Sequence, residues 1–113
     1  MSFDVFIETA REERKYFENY RHYAKIIKKL AKKMLEDAEV YVFGSVVEGR
    51  HTPASDIDIL IISKHVPKRN EDRAKIVGQI LKDIDVFAPF EIHLATPELF
   101  EIYRKFAKKM EKV

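Results

Sequence analysis

Cysteine is absent from the 113 residues, which excludes disulfides, thiolate metal sites and a thiol nucleophile. Glycine and proline are scarce, at three and four. Neither occurs before Gly44, so the stretch up to that point carries few chain-breaking signals and reads mostly as helix. No apolar run approaches the ~20 residues that a membrane-spanning helix needs, and no membrane segment is expected. A strong excess of one charge is also lacking: 21 basic and 19 acidic side chains leave a formal net charge of +2, which argues against a dedicated nucleic-acid surface. The start, Met1-Ser2-Phe3-Asp4, has no basic segment followed by a long apolar one, so no secretory signal is expected and the chain is assigned to the cytoplasm. Two Asn, one Gln and no Cys beside abundant Lys and Glu point to a thermophilic source.

What is present is an ordinary globular composition, 46% hydrophobic, long enough for one modest core. A single domain over 1–113 is expected, with an N-terminal helical region over 1–38 and a core with a last helix over 39–113. Lys25 to Lys33 contributes five lysines and Arg104 to Lys112 five more cations, both at helical spacing. Solvated helix faces account for them, with a weak RNA or phosphate surface as the alternative.

Apolar and aromatic residues recur in steps of three and four at Phe3, Phe6, Ile7 and Ala10, then at Phe17, Tyr20, Tyr23, Ile27, Leu30 and Met34. This is the stripe of one long helix or of two, interrupted at the charged cluster Arg11 to Lys15. Val40 to Phe43 reads as a first strand and Ser45 to Gly49 as a short helical turn. Asp56 to Ser63 follows as a second strand, dense enough in apolar residues for burial. Asn70 is expected to cap a helix over Glu71–Asp83 with Ala74, Ile76, Val77, Ile80 and Leu81 inward. Phe90 to Ala95 makes a third strand. Thr96-Pro97-Glu98 starts a last helix running towards Met110: a capping hydroxyl, Pro at the first helical position, then an acidic residue. The resulting class is α/β (α+β), helices packed on a small sheet.

The most informative stretch runs from Val40 to Ile62. The first strand ends in Gly44-Ser45, where backbone N–H groups can face a phosphate. Eleven residues after Ser45 comes Asp56-Ile57-Asp58, whose two carboxylates share one face of a strand while Ile57 and Ile59 take the other. Adjacent like charges need a cation, a shared proton or a basic partner. Magnesium suits them, since it binds oxygen and leaves positions for substrate phosphates. Ser55 adds a hydroxyl near the same mouth. In the third strand, Glu91 and His93 share a face, and if that strand neighbours the second, Glu91 completes a three-carboxylate set able to bridge two metal ions. Asp85 is a rival outside the alternating pattern. His93 reads first as a hydrogen-bonded structural residue, with a role towards phosphate or acceptor as the alternative. His51 sits between the phosphate turn and the carboxylates, where a nucleotide contact is conceivable. Histidine is not expected to ligate metal, because no pair has ligand spacing.

Gly44-Ser45, Gly49, Ser55-Asp56-Ile57-Asp58 and the later acidic strand residue resemble the minimal nucleotidyltransferases of the DNA polymerase beta superfamily. The resemblance covers Val40 to Leu94. It implies a small mixed sheet flanked by helices, and transfer of a nucleoside monophosphate, AMP in the first instance, from a triphosphate such as ATP to a hydroxyl acceptor. By the same resemblance Gly44 and Ser45 hold the β and γ phosphates, Asp56 and Asp58 ligate one or two Mg2+ ions, and Glu91 helps activate the acceptor. Two departures stand out: the third acidic residue is Glu where Asp is frequent, and Glu48 precedes Gly49 where many relatives carry Arg. A cation for the triphosphate would then come from Arg50, Lys64 or another subunit.

Few residues follow Glu91, so the acceptor side is expected to be shallow or shared. Most of the aromatic seam of the N-terminal helix is expected to cover the sheet, and the length beyond what three or four short strands need suggests a homodimer or a partner contact through part of this helix. Relatives of this size imply a HEPN-domain protein as partner, with the acceptor hydroxyl on that protein. The competing reading is a non-catalytic nucleotide-binding antitoxin that neutralises such a partner by binding alone.

Overall fold

A computed structural model describes residues 13–113; the expectations for Phe3, Phe6, Ile7, Ala10 and the Arg11–Lys15 interruption lie wholly or partly outside them. Helical backbone over 13–18 breaks at Asn19, whose side-chain amide and backbone N–H both donate to the Lys15 carbonyl at 3.0 Å. Such local side-chain bonding competes with the helical ladder. The chain then continues as α1 (Tyr20–Met34), β1 (Glu39–Phe43), α2 (Ser45–Glu48), β2 (Ile57–Ile62), α3 (Asn70–Ile84), β3 (Phe90–Ala95), α4 (Pro97–Phe106) and β4 (Met110–Lys112). None of the described helices is long and apolar enough to cross a membrane.

The strands form one mixed sheet in the order β3-β2-β1-β4. β1 is antiparallel to β2 and β4, and β2 is parallel to β3. The parallel pair needs a crossover, and α3 supplies it. Register assigns the two faces. Ile57, Ile59 and Ile61 lie on one face with Val40 and Val42, beneath α1 and α3. Leu60 and Ile62 lie on the other with Tyr41, Phe43 and Ala95, beneath Leu99, Phe100 and Tyr103 of α4. Being central and covered on both sides, β2 is apolar almost throughout, its only charge falling near one end.

On α1, Tyr20, Ala24, Ile27 and Ala31 are buried. The alanines allow close approach to the sheet, and full burial of a side chain such as Ile27 is worth about 1.5–3 kcal/mol. Phe17 and Tyr20 are buried, and Tyr23 and Leu30 pack partly against the same core, leaving Met34 as the exposed end of the seam. The chain's own sheet thus covers most of this stripe, as its apolar spacing predicts.

Three local expectations need correction. The last helix stops at Phe106, and Met110–Lys112 forms a fourth strand beside β1. Its sequence carries one apolar residue among charges, so alternation gave no signal. Long-range bonds hold it instead: Glu111 accepts from the Tyr20 hydroxyl at 3.0 Å and from Arg21 at 2.9 Å. Asn70 is the first residue of α3 and Arg69 occupies the cap position without a side-chain cap bond, a one-residue shift of boundary. Ala74 is exposed, whereas Ile80 is fully buried and Ile76, Val77 and Leu81 pack partly. The Thr96 cap forms as expected, its hydroxyl accepting from the Leu99 N–H at 3.3 Å, with Pro97 opening α4.

Candidate functional site

The C-terminal end of β1 and the N-terminal ends of β2 and β3 meet at one end of the sheet. Register pairs Phe43 with Asp58 and Asp58 with Glu91, so these side chains stand in a row on the α4 face. One step further in, Leu60 pairs with His93. Asp58, Glu91 and His93 thereby form a cluster whose nearest donor atoms all lie within 4.8 Å of one another. His93 Nε2 is 3.4 Å from Asp58 Oδ1 and 3.7 Å from Glu91 Oε1. Asp58 and His93 are each about three-quarters buried, while Glu91 is open to solvent.

Gly44 fixes the position of Asp58. It has φ 83° and ψ −158°, a region that side chains exclude and essentially only glycine adopts. A Cβ at this position would stand 2.2 Å from Asp58 Oδ2, so the carboxylate rests directly over the glycine backbone. Ser45 follows, half-buried, as the first residue of α2, and Val46 and Val47 anchor that turn in the core. Gly49 ends it in the left-handed region at φ 72°. The Arg50 N–H returns to the Ser45 carbonyl at 3.0 Å.

Asp56 is exposed and immediately precedes β2. Strand alternation directs it to the side of Asp58, but it stands outside the three-residue cluster. The Ser55 hydroxyl accepts from the Thr52 N–H at 2.9 Å, which shapes the approach to Asp56. Arg50 is forked onto Glu48 at 3.2 and 3.4 Å, so this cation beside the turn is already paired with an acid. Lys64 lies beyond the opposite end of β2, about 20 Å of extended chain from Asp58, and cannot serve a phosphate beside Gly44. Asp85 caps the end of α3, accepting from the Phe87 N–H at 2.9 Å and the Tyr16 hydroxyl at 3.0 Å. These bonds hold its carboxyl below the usual range, and its role is structural.

His93 joins the cluster as a hydrogen-bonded residue, the first of the two readings its strand position suggested. Its carboxylate neighbours come from the adjoining strand and from two positions away on its own strand, so no His–His or His–Cys spacing announces them. The hydrogen bond to Asp58 raises the imidazole pKa above its ordinary value, opposed by burial and aided by the charge of Glu91. Phe43 and Tyr103 pack against the ring at centroid distances of 5.4 and 5.9 Å. His51 stacks on Phe17 at 5.0 Å, at a cleft of about 210 Å³ lined also by Arg14 and Pro53. A second cleft, of about 420 Å³, runs outside β3 between α3 and α4, with His93, Tyr103, Arg73 and Ala74 on its walls.

The donor set fits a divalent cation: two carboxylates and an imidazole offer donor atoms within 4.8 Å of one another. With the glycine-backed turn alongside, this end of the sheet can hold a charged phosphate chain against metal and carboxylate.

Comparison with known proteins bears on the whole arrangement. The family model of the nucleotidyltransferase domain matches residues 24–113, from the second turn of α1 to the last residue described. A Methanocaldococcus jannaschii protein named as a protein adenylyltransferase is 40% identical over 42 residues, a match that takes in 37% of this chain and 29% of that protein. A crystal structure described as a nucleotidyltransferase superposes with TM-score 0.64 at 35% identity, covering 79% of this chain and 95% of the other. A second, from Sulfolobus solfataricus, gives TM-score 0.52 at 21% identity over 92% and 85% of the two chains, a likeness of fold. The chain belongs to the nucleotidyltransferase domain family, within the DNA polymerase beta superfamily.

Proposed function

We propose that this chain transfers a nucleoside monophosphate, AMP from ATP in the first instance, to a hydroxyl on a partner protein. The observation that carries the reading is the position of Asp58 over Gly44 and beside Glu91, within a fold whose family performs nucleotidyl transfer. The relative named as a protein adenylyltransferase supports AMP and a protein acceptor.

In this reading Gly44 and Ser45 receive the β and γ phosphates, because the glycine lets the chain approach without a side chain in the way. Ser55 and Arg50 contribute at the phosphate mouth, Arg50 by exchanging Glu48 for a phosphate oxygen. Asp56, Asp58 and Glu91 would hold a divalent cation, Mg2+ in the first instance, which would neutralise triphosphate charge and polarise the phosphoryl oxygens. The acceptor oxygen attacks the α phosphorus and the bond from that phosphorus to the bridging β oxygen breaks, releasing pyrophosphate. Glu91, the most exposed member of the cluster, accepts the hydroxyl proton. The domain acts as one unit over 1–113 in the cytoplasm, with the acceptor side supplied by the partner, for which a HEPN-domain protein is the first candidate.

Incubation with labelled ATP, magnesium and the product of the neighbouring gene tests this. Label should pass to the partner with the native chain and not with Asp58→Ala. Binding of the partner by both forms without transfer by either would instead favour a masking module that retains a nucleotide pocket.

A further inference from the structure

We propose that His93 is itself a ligand of the cation held by Asp58 and Glu91, and that the site consequently prefers a first-row transition cation such as Mn2+ to Mg2+. The inference rests on the reading of those two carboxylates as cation ligands, and not on the nucleotide or the acceptor.

Three observations carry it. The first is distance. At 3.4 Å, the His93–Asp58 contact is long for an N–H···O hydrogen bond, which is most often about 2.9–3.0 Å. Two donors bound to one ion at about 2.1 Å, at angles of about 90–110°, stand roughly 3.0–3.4 Å apart. The 3.4 and 3.7 Å separations of His93 Nε2 from the two carboxylates therefore lie near the spacing of ligands around a shared cation. The second is direction: Nε2 is the ring atom turned to both carboxylates, while Phe43 and Tyr103 brace the ring. The third is the seating of Asp58. Its carboxylate is backed by the Gly44 main chain, so it offers one side to the fold and the other to the cluster.

Ligand chemistry then sets the preference. Magnesium takes oxygen donors and gains little from an imidazole, whereas nitrogen donors favour the first-row transition ions. Two carboxylates and one imidazole on one side of an ion leave its remaining positions for water and for phosphate oxygens.

Pulsed EPR of the full chain loaded with Mn2+ alone, without nucleotide, reads the ligand directly, and calorimetry reads the affinity. A 14N coupling of an imidazole should be present in the native chain and missing in His93→Gln. That variant should bind Mn2+ about 10–100-fold more weakly and Mg2+ within about threefold of the native chain. Melting in EDTA checks that the glutamine variant is folded, and His93→Asn serves if it is not. Mn2+ bound with Asp58 dependence but no 14N coupling, and with equal affinity in both variants, would overturn the role of His93 and leave the carboxylate site standing. Absence of Mn2+ binding by the native chain would overturn both.

Discussion

Replacing Gly44 by alanine is the sharpest test of how the fold builds the site. The backbone at φ 83°, ψ −158° costs a side-chain-bearing residue about 1–3 kcal/mol, which for a domain of this size lowers Tm by about 4–12 °C. The new Cβ would also meet Asp58 Oδ2 at 2.2 Å, far inside contact distance, so the carboxylate must move by about 1 Å or more. A displacement of that order at a reacting centre can cost about 100-fold in rate. Gly49→Ala is the matched control. It carries the same kind of backbone penalty at φ 72°, about 1–2 kcal/mol, but its Cβ meets nothing within 4 Å. Thermal melting followed by nucleotidyl transfer at a temperature where both variants are folded separates the effects. Gly44→Ala should lose transfer and Gly49→Ala should keep most of it. Equal losses in the two, or native rates for Gly44→Ala, would refute the claim that Gly44 exists to seat Asp58.

Other consequences follow from the packing and the ion pairs. Leu60→Ala, at a fully buried position on the α4 face of β2, should cost about 2–5 kcal/mol in urea unfolding. Glu111 is held below the ordinary glutamate range, first by its hydrogen bond to Arg21. Its contribution is therefore present above the unfolded-state pKa and is lost as pH falls through the folded one. Melting of Glu111→Gln should accordingly lie below the native chain at pH 7 and converge with it in acid. Glu48→Gln should free Arg50 from its fork and lower KM for the triphosphate a few-fold in steady-state kinetics, with kcat less affected.

Legibility in the sequence followed the physics of each element. β1, β2 and β3 could be read because buried strands concentrate apolar residues and end at glycine or polar turns. Thr96-Pro97 fixed the start of α4 because its capping chemistry is local. β4 could not be read: a three-residue edge strand with charged flanks takes its stability from Tyr20 and Arg21, about ninety residues away. The row Phe43, Asp58, Glu91 could be anticipated only conditionally, since alternation tells which residues share a face and not which strands adjoin. His93 shows the same limit from the other side. Its face was legible, but its carboxylate partners depended on the parallel register of β2 with β3. The fork of Arg50 onto Glu48 is a rotamer choice between near neighbours, for which sequence offers two charges and no geometry.

If this end of the sheet holds a triphosphate for attack at its α phosphorus, parallel incubations with ATP labelled in the α or the γ phosphate distinguish the two ends of the chain. The α label should become covalently attached to the acceptor, the γ label should leave as pyrophosphate, and both events should vanish in Asp58→Asn. Attachment of the γ label, or α-label transfer that survives Asp58→Asn, would contradict it.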